Sequence, residues 1–278
     1  MLRIVACIKQ VPDTTQVRID PDTNTLIREG VPSIINPFDV HAIEEAVRLK
    51  ERYGGKAIML CMGPPWADEA LQKAISFGAD DAVLLSDRAL AGSDTLATSC
   101  ALAAAIRKLD EQEPVDLVIC GKQTIDGDTA QVGPGIAARL GFTQFTYVDK
   151  VESVDLGARR IRVWRMLEGA REIVEGPLPA LLTVVKEINE PRYASLPDLI
   201  RGLRSEIPVW SVRDIGLSED EVGLKGSPTQ VRRIFPPPRR GAGEIIAGAL
   251  DDPRKAAADL IDRLVQAGHI GNGSKGSE

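Results

Sequence analysis

Aromatic side chains are scarce. Phe, Trp and Tyr make up 4% of the 278 residues, although 44% of the chain is hydrophobic. A core made mostly of Ala, Val, Ile and Leu suits helices layered on a parallel sheet better than a β-sandwich. A basic field is also missing. The net charge is −6, and the arginine pairs Arg159-Arg160 and Arg239-Arg240 are too short to track a nucleic-acid backbone. No segment approaches the ~20 apolar residues of a membrane span. The opening run MLRIVACIKQ is charged at positions 3 and 9 and lacks the form of a signal peptide. Neither a nucleic-acid partner nor direct membrane insertion is expected, and the location expected is cytoplasmic. The four cysteines, Cys7, Cys61, Cys100 and Cys120, include no CxxC pair. They read as small core residues in a reducing compartment, not as disulfides or metal ligands.

Catalytic constellations are equally thin. There are two histidines, His41 in a helical pattern and His269 near the tail. No GxSxG elbow or HExxH pair occurs. The acidic pairs Glu44-Glu45 and Asp80-Asp81 are sequence neighbours, and neighbours do not face each other on a helix. No catalytic side chain and no metal site is expected.

Short apolar runs recur at 2–8, 56–62, 82–85, 115–120 and 179–185. Nearly continuous runs of this kind mark parallel strands covered on both faces. Helical patterns lie between them, over 40–53, 66–77, 93–109 and 129–140. Asn36 and Pro37 signal the first of these starts. Residues 146–155, 159–166 and 171–175 alternate and carry charge, as an antiparallel meander does at a sheet edge. Residues 186–240 read as a long irregular segment, rich in Pro, Gly and charge and including Pro236, Pro237 and Pro238. A last helix starts with Asp252 as cap and Pro253 at its first position, and presents Ala257, Leu260, Ile261, Leu264 and Val265. The fold expected is therefore α/β, a doubly wound, mostly parallel sheet with an antiparallel edge. Ligands of such sheets sit beyond the carboxyl ends of the strands. That rule selects the loops after Ile8, Met62, Leu85 and Cys120.

The loop after Cys120 is the richest: Gly121, Lys122, Gln123, Thr124, Ile125, Asp126, Gly127, Asp128, Thr129, Ala130, Gln131 and Val132, then Gly133-Pro134-Gly135. Glycine admits close backbone approach, and a helix start offers free N–H groups to a phosphate. Lys122, Thr124 and Thr129 can add phosphate contacts. Of Asp126 and Asp128, one is expected to cap the helix and the other to accept from a hydroxyl or amine. A P-loop is excluded, because its first glycine would fall on Asp116. Gly133-Pro-Gly135-Ile-Ala-Ala138 fits GxGxxA only superficially, since it lies past the strand-to-helix turn. From these residues alone an ordinary βα connection remains an equal reading.

Four segments go further. Asn36 to Ala46 (NPFDVHAIEEA), the loop GKQTIDGDTAQVGP, residues 163–183 (VWRMLEGAREIVEGPLPALLT) and residues 189–197 (NEPRYASLP) resemble electron transfer flavoprotein β subunits, in the family's order. The likeness covers about residues 1–205 and the C-terminal arm more loosely. It implies an adenine-nucleotide-hydrolase-like fold over 1–205, with a recognition loop at about 186–202. It also implies an arm and helix over 206–270 that packs on an α subunit, and a disordered tail at 271–278. The pocket it implies is built from Cys7; from Asn36, Pro37, Phe38 and Asp39; from Met62 and Gly63; and from Gly121 to Val132. In that likeness the loop after Leu85 drops out. Glu190, Pro191, Arg192, Tyr193 and Leu196 match the segment that docks partner dehydrogenases, with Leu196 as the anchor.

The family divides between members holding a structural AMP and members holding a second FAD that bifurcate the electrons of NADH. Gly127 and Ala130 remove bulk near the phosphates, and Asp39 stands where a cysteine is often found. Both features resemble the FAD type. The partners then implied are an α subunit with its own FAD, an acyl-CoA dehydrogenase or quinone oxidoreductase, and ferredoxin or flavodoxin. The alternatives are an AMP-holding β subunit that docks acyl-CoA dehydrogenases, and a universal-stress-like ATP-binding module.

Overall fold

The computed structural model describes residues 1–13, 18–19, 26–27, 32–232, 243, 245–246 and 251–270. The chain divides into two units, Met1–Ile234 and Phe235–Glu278.

The first unit opens with β1 (Leu2–Ile8), buried throughout. Short strands follow: β2 (Gln10–Pro12), β3 (Arg18–Ile19), β4 (Leu26–Ile27) and β5 (Ser33–Ile35), with β2 paired to β5 and β3 to β4. Then come α1 (Pro37–Tyr53), β6 (Gly55–Met62), α2 (Asp68–Ser76), β7 (Asp81–Leu85), α3 (Thr95–Gln112), β8 (Leu117–Gly121) and α4 (Val132–Leu140). The meander β9 (Thr143–Asp155), β10 (Arg160–Leu167) and β11 (Ala170–Pro177) precedes β12 (Ala180–Val184), α5 (Leu196–Arg204) and β13 (Val209–Trp210).

Nine of these strands form one sheet, in the order β11-β10-β9-β12-β8-β1-β6-β7-β13. It is parallel from β9 through β13 and antiparallel across β9, β10 and β11. The apolar runs have a simple cause. Along β1, Leu2, Ile4, Ala6 and Ile8 pack into the core beneath α1 and α2. Val5 and Cys7 enter the opposite core, which α3 and α4 cover. Both sides of the strand must then be apolar. All four cysteines are free thiols, three of them buried.

Five expectations are corrected. Asn36 does stand at the N-cap position of α1, but its side chain makes no capping bond. It is drawn instead to the loop after β8. Helix α4 starts at Val132 and not at 129, because Asp128 and Ala130 take φ of 56° and 55°, which no helical residue adopts. Its N-cap is Gln131, so neither aspartate caps it. The segment expected to be irregular contains α5 and β13. Gly202 lets α5 lie against α2, where a Cβ would stand 2.4 Å from Gln72 O. The Arg201 guanidinium donates to Ile75 O and Ala79 O at the end of α2. Residues 206–232, expected as the start of an arm, belong to the first unit. β13 extends the sheet on β7, and Val212, Ile215 and Val222 are buried in the core under α3.

In the second unit, α6 (Pro253–Gln266) is capped by Asp252, whose carboxylate accepts from Lys255 N at 3.1 Å. None of its residues is buried. Pro236–Pro238 and the 271–278 tail lie outside the described residues. Among those described, no helix is long and apolar enough to cross a membrane.

Candidate functional site

The carboxyl ends of β1, β6, β7 and β8 open into a cavity of about 1300 Å³. From β1 come Cys7, Ile8 and Lys9; from β6 come Met62 and Gly63, followed by Trp66. The loop after β8 supplies Gly121, Lys122, Gln123, Thr124, Asp126, Gly127, Thr129, Ala130 and Gln131, and α4 adds Val132 and Gly133. Asp39 is the one residue of the NPFD segment on the wall.

The other expected residues stand behind the wall. Asn36 Nδ2 donates to Gln123 O at 2.9 Å and its Oδ1 accepts from Ile125 N at 3.2 Å. Asn36 therefore shapes the loop without lining the cavity. Asp128 accepts from Gln123 Nε2, and its own N–H donates to Thr124 O, so it folds the loop on itself. Pro37 opens α1. Phe38 faces a second, shallower cavity of about 450 Å³ with Tyr147 and Met166. Lys122 touches both cavities, and its ammonium sits over the Phe38 and Tyr147 rings at 5.6 and 5.0 Å.

Asp39 is 4% exposed. Its Oδ2 accepts from Lys9 N at 2.8 Å and its Oδ1 from Gly121 N at 3.2 Å. Two strand ends are thus tied by one carboxyl group. Burial pushes its pKa up to about 7, against the pull of those bonds, of Asn36 and of the Lys9 charge. A Cβ on Gly121 would stand 2.3 Å from Asp39 Oδ1, so only glycine fits there. Asp126 accepts from Lys9 Nζ at 2.7 and 2.9 Å, an ion pair that joins the loops after β1 and β8. Burial works against the Asp126 charge, but the hydrogen bonds from Lys9 and Thr124 hold it below the ordinary carboxylate range. Cys61 and Cys120 are poor nucleophiles. Burial raises Cys61 to about 12, and the hydrogen bond to Cys7 together with burial raises Cys120.

The loop after β7 also walls the cavity, with Ser86 to Arg88 and Leu90 to Asp94, then Thr95 and Thr98 of α3. The sheet rule selected this loop; the family likeness set it aside. Thr229 and Val231 close the same side. Nothing local in the sequence marks these two, because a contact across more than a hundred residues places them there.

The cavity is large. Pockets for drug-sized ligands run to roughly 300–1,000 Å³, and this one is larger. The start of α4 has no side-chain cap, which leaves backbone N–H groups to face a phosphate. Among the described residues no cluster of His, Cys, Asp and Glu could hold a metal ion.

The segment 189–197 is fastened to α1. Asn189 Nδ2 donates to His41 O and to Glu45, and His41 Nδ1–H donates to Asn189 O at 3.0 Å. Arg192 is forked onto Glu44 and Glu51, at 2.9 and 2.6 Å. Glu190 lends its carbonyl to Arg48. Beyond this clamp Tyr193 is 99% and Leu196 70% exposed, with Leu199, Ile200 and Leu203 exposed along α5. Pro191 lies between the clamped residues and is partly buried.

Comparison with known proteins shows the family of the chain. The electron transfer flavoprotein domain matches residues 23–215. Protein FixA of Azotobacter vinelandii is 52% identical over 262 residues, 94% of this chain and 93% of its own. The electron transfer flavoprotein subunit beta of Clostridium acetobutylicum is 49% identical over 270 residues, 97% of this chain and all of its own. CarD of the caffeyl-CoA reductase-Etf complex of Acetobacterium woodii is 48% identical over 264 residues, 95% of this chain and 98% of its own.

Proposed function

Because the chain belongs to the electron transfer flavoprotein family as a β subunit, we propose that its cavity holds FAD and that, with the α subunit, it bifurcates the electrons of NADH. One electron goes by way of the α-subunit FAD to an acyl-CoA dehydrogenase or quinone oxidoreductase. The other goes to a low-potential ferredoxin or flavodoxin. The observation that carries this reading is the size of the cavity, about 1300 Å³ across four strand ends, which exceeds the needs of AMP.

Bound FAD supplies the two-electron and one-electron chemistry that no side chain here provides. The chain's own residues hold and orient it. Gly121 and Gly127 keep the loop wall low, and the open start of α4 would hold the diphosphate. Asn36, Asp39 and the Lys9–Asp126 pair fix that wall from behind and across.

The clamped segment from Glu190 to Leu196 is the docking site for the dehydrogenase, with Tyr193 and Leu196 as apolar anchors. The name of CarD, a subunit of a caffeyl-CoA reductase-Etf complex, supports an acyl-CoA-handling partner. The unburied apolar face of α6 is assigned to the α subunit. The reduced, buried thiols favour a cytoplasmic location.

Extraction of the purified αβ complex tests the reading. Two flavins and no AMP per heterodimer are expected. One flavin and one AMP overturn bifurcation and leave an AMP-holding electron carrier.

A further inference from the structure

The acids of the cavity wall are all engaged within the chain. Asp39 accepts two backbone N–H groups, and Asp126 accepts from Lys9. Asp87 accepts from Ala89 N at 3.0 Å and Val212 N at 3.2 Å. Asp94 accepts from Leu96 N, Ala97 N and Thr229. The wall carries three cations, Lys9, Arg88 and Lys122. Lys9 is spent on Asp126, and Lys122 lies over two aromatic rings. Among the described residues, Arg88 alone of the three has a side chain with no hydrogen bond, ion pair or ring. It is exposed, and it projects from a 3-10 turn (Arg88–Leu90) that Asp87 holds rigid. An unpartnered guanidinium on a capped turn is a fork for a phosphate.

Its position says which phosphate. The start of α4 follows β8, whereas Arg88 follows β7. In the sheet β8, β1, β6 and β7 lie side by side. Three steps of about 4.8 Å separate the two points by about 14 Å. One diphosphate, two phosphorus atoms sharing a bridging oxygen, is too short to meet both. The crevice therefore offers two anion positions to two ligands. The start of α4 is given to the FAD diphosphate in the reading above, which leaves Arg88 to the second ligand. We propose that Arg88 receives the diphosphate of the electron-donating nicotinamide dinucleotide. This assignment rests on the bifurcating reading above.

The test compares two donors on the FAD-loaded αβ complex by stopped-flow flavin reduction. NADH carries the diphosphate; 1-benzyl-1,4-dihydronicotinamide donates the same hydride and has no phosphate. Arg88→Ala is expected to raise the apparent Kd for NADH at least tenfold, with the loss confined to NADH and FAD content intact. Arg88→Lys should recover part of it, since it keeps the charge and not the fork. Added salt should weaken NADH binding more in the parent complex than in Arg88→Ala. Equal losses with both donors, an unchanged Kd for NADH, or loss of FAD from the variant overturns the assignment while the bifurcating reading stands. A parent complex that NADH does not reduce overturns both.

Discussion

Asp94 and Thr229, 135 residues apart, are joined by two hydrogen bonds. Thr229 N and Oγ1 donate to Asp94 Oδ2 at 3.0 and 2.7 Å. The other carboxylate oxygen caps α3 through Leu96 N and Ala97 N. Ser227 Oγ accepts from Asp94 N, and Ser93 Oγ accepts from Gly223 N. One aspartate thus starts a helix and latches the segment that closes the cavity. Burial opposes its charge, but these bonds outweigh it and lower its pKa.

Thr229→Val should lower stability by about 1 kcal/mol, the net worth of one hydrogen bond. Asp94→Ala should cost about 2 kcal/mol, because cap and latch go together. Denaturant midpoints check both. In the Asp94→Ala background the Thr229 change should cost little; an additive double variant means that the two do not act through each other.

The buried carboxyl of Asp39 gives a pH signature. Its folded pKa of about 7 lies above the ordinary 3.8. A raised pKa contributes stability that is fully present below about pH 4 and lost as pH rises through about 7. At 1.36 kcal/mol per unit, the stability of the parent relative to Asp39→Asn should fall by roughly 4 kcal/mol across that window. Urea unfolding of both proteins from pH 4 to 8 measures it. A constant difference between them would show that Asp39 ionises as freely folded as unfolded.

Gly121→Ala forces a methyl group onto Asp39 Oδ1 and against Phe38 Cβ, at 2.3 and 2.8 Å before relaxation. Overpacking of this kind costs about 1–3 kcal/mol, and it displaces the carboxyl that ties β1 to β8. The variant complex should fold with reduced stability and retain less than half of the parent's nucleotide after gel filtration. Parent-like retention would mean that the Asp39 bridge does not shape the cavity.

Leu196→Ala and Tyr193→Ala should slow electron delivery to the docked dehydrogenase at least tenfold, the range of a small-interface hot spot. Neither side chain supports the fold, so flavin content and unfolding midpoint should match the parent. A stability loss above about 1 kcal/mol in either variant would assign it to packing.

Much of this was legible in the residues, and for a physical reason. Parallel strands covered on both faces need apolar side chains on both, so β1, β6, β7, β8 and β12 stand out as unbroken runs. The loop after β8 announces itself by glycines and hydroxyls at a strand end. Helix α5 carries a helical signal as well, with Leu196, Leu199, Ile200 and Leu203 spaced on one face behind a Ser195 cap, but it is only nine residues long and sits in a stretch whose Pro, Gly and charge read as irregular. A close backbone crossing holds it on α2. The latch carries no such signal, because it joins polar residues distant in sequence. Arg88 matches no motif; its role follows only from a census of which neighbouring charges are already spoken for. The displaced start of α4 turned on two residues with positive φ, neither of them glycine.

Helix α1 touches both the cavity and the segment 189–197. Asp39 in its first turn floors the cavity, while Glu44 and Glu51 farther along hold Arg192. Twelve residues at 1.5 Å each set about 18 Å of axis between Asp39 and Glu51. The helix is therefore a ruler. A protein seated on Tyr193 and Leu196 meets the cavity at a span fixed by the number of peptide units in one helix. One inserted residue would swing Glu51 about 100° around the axis, and the fork on Arg192 would lose half its grip.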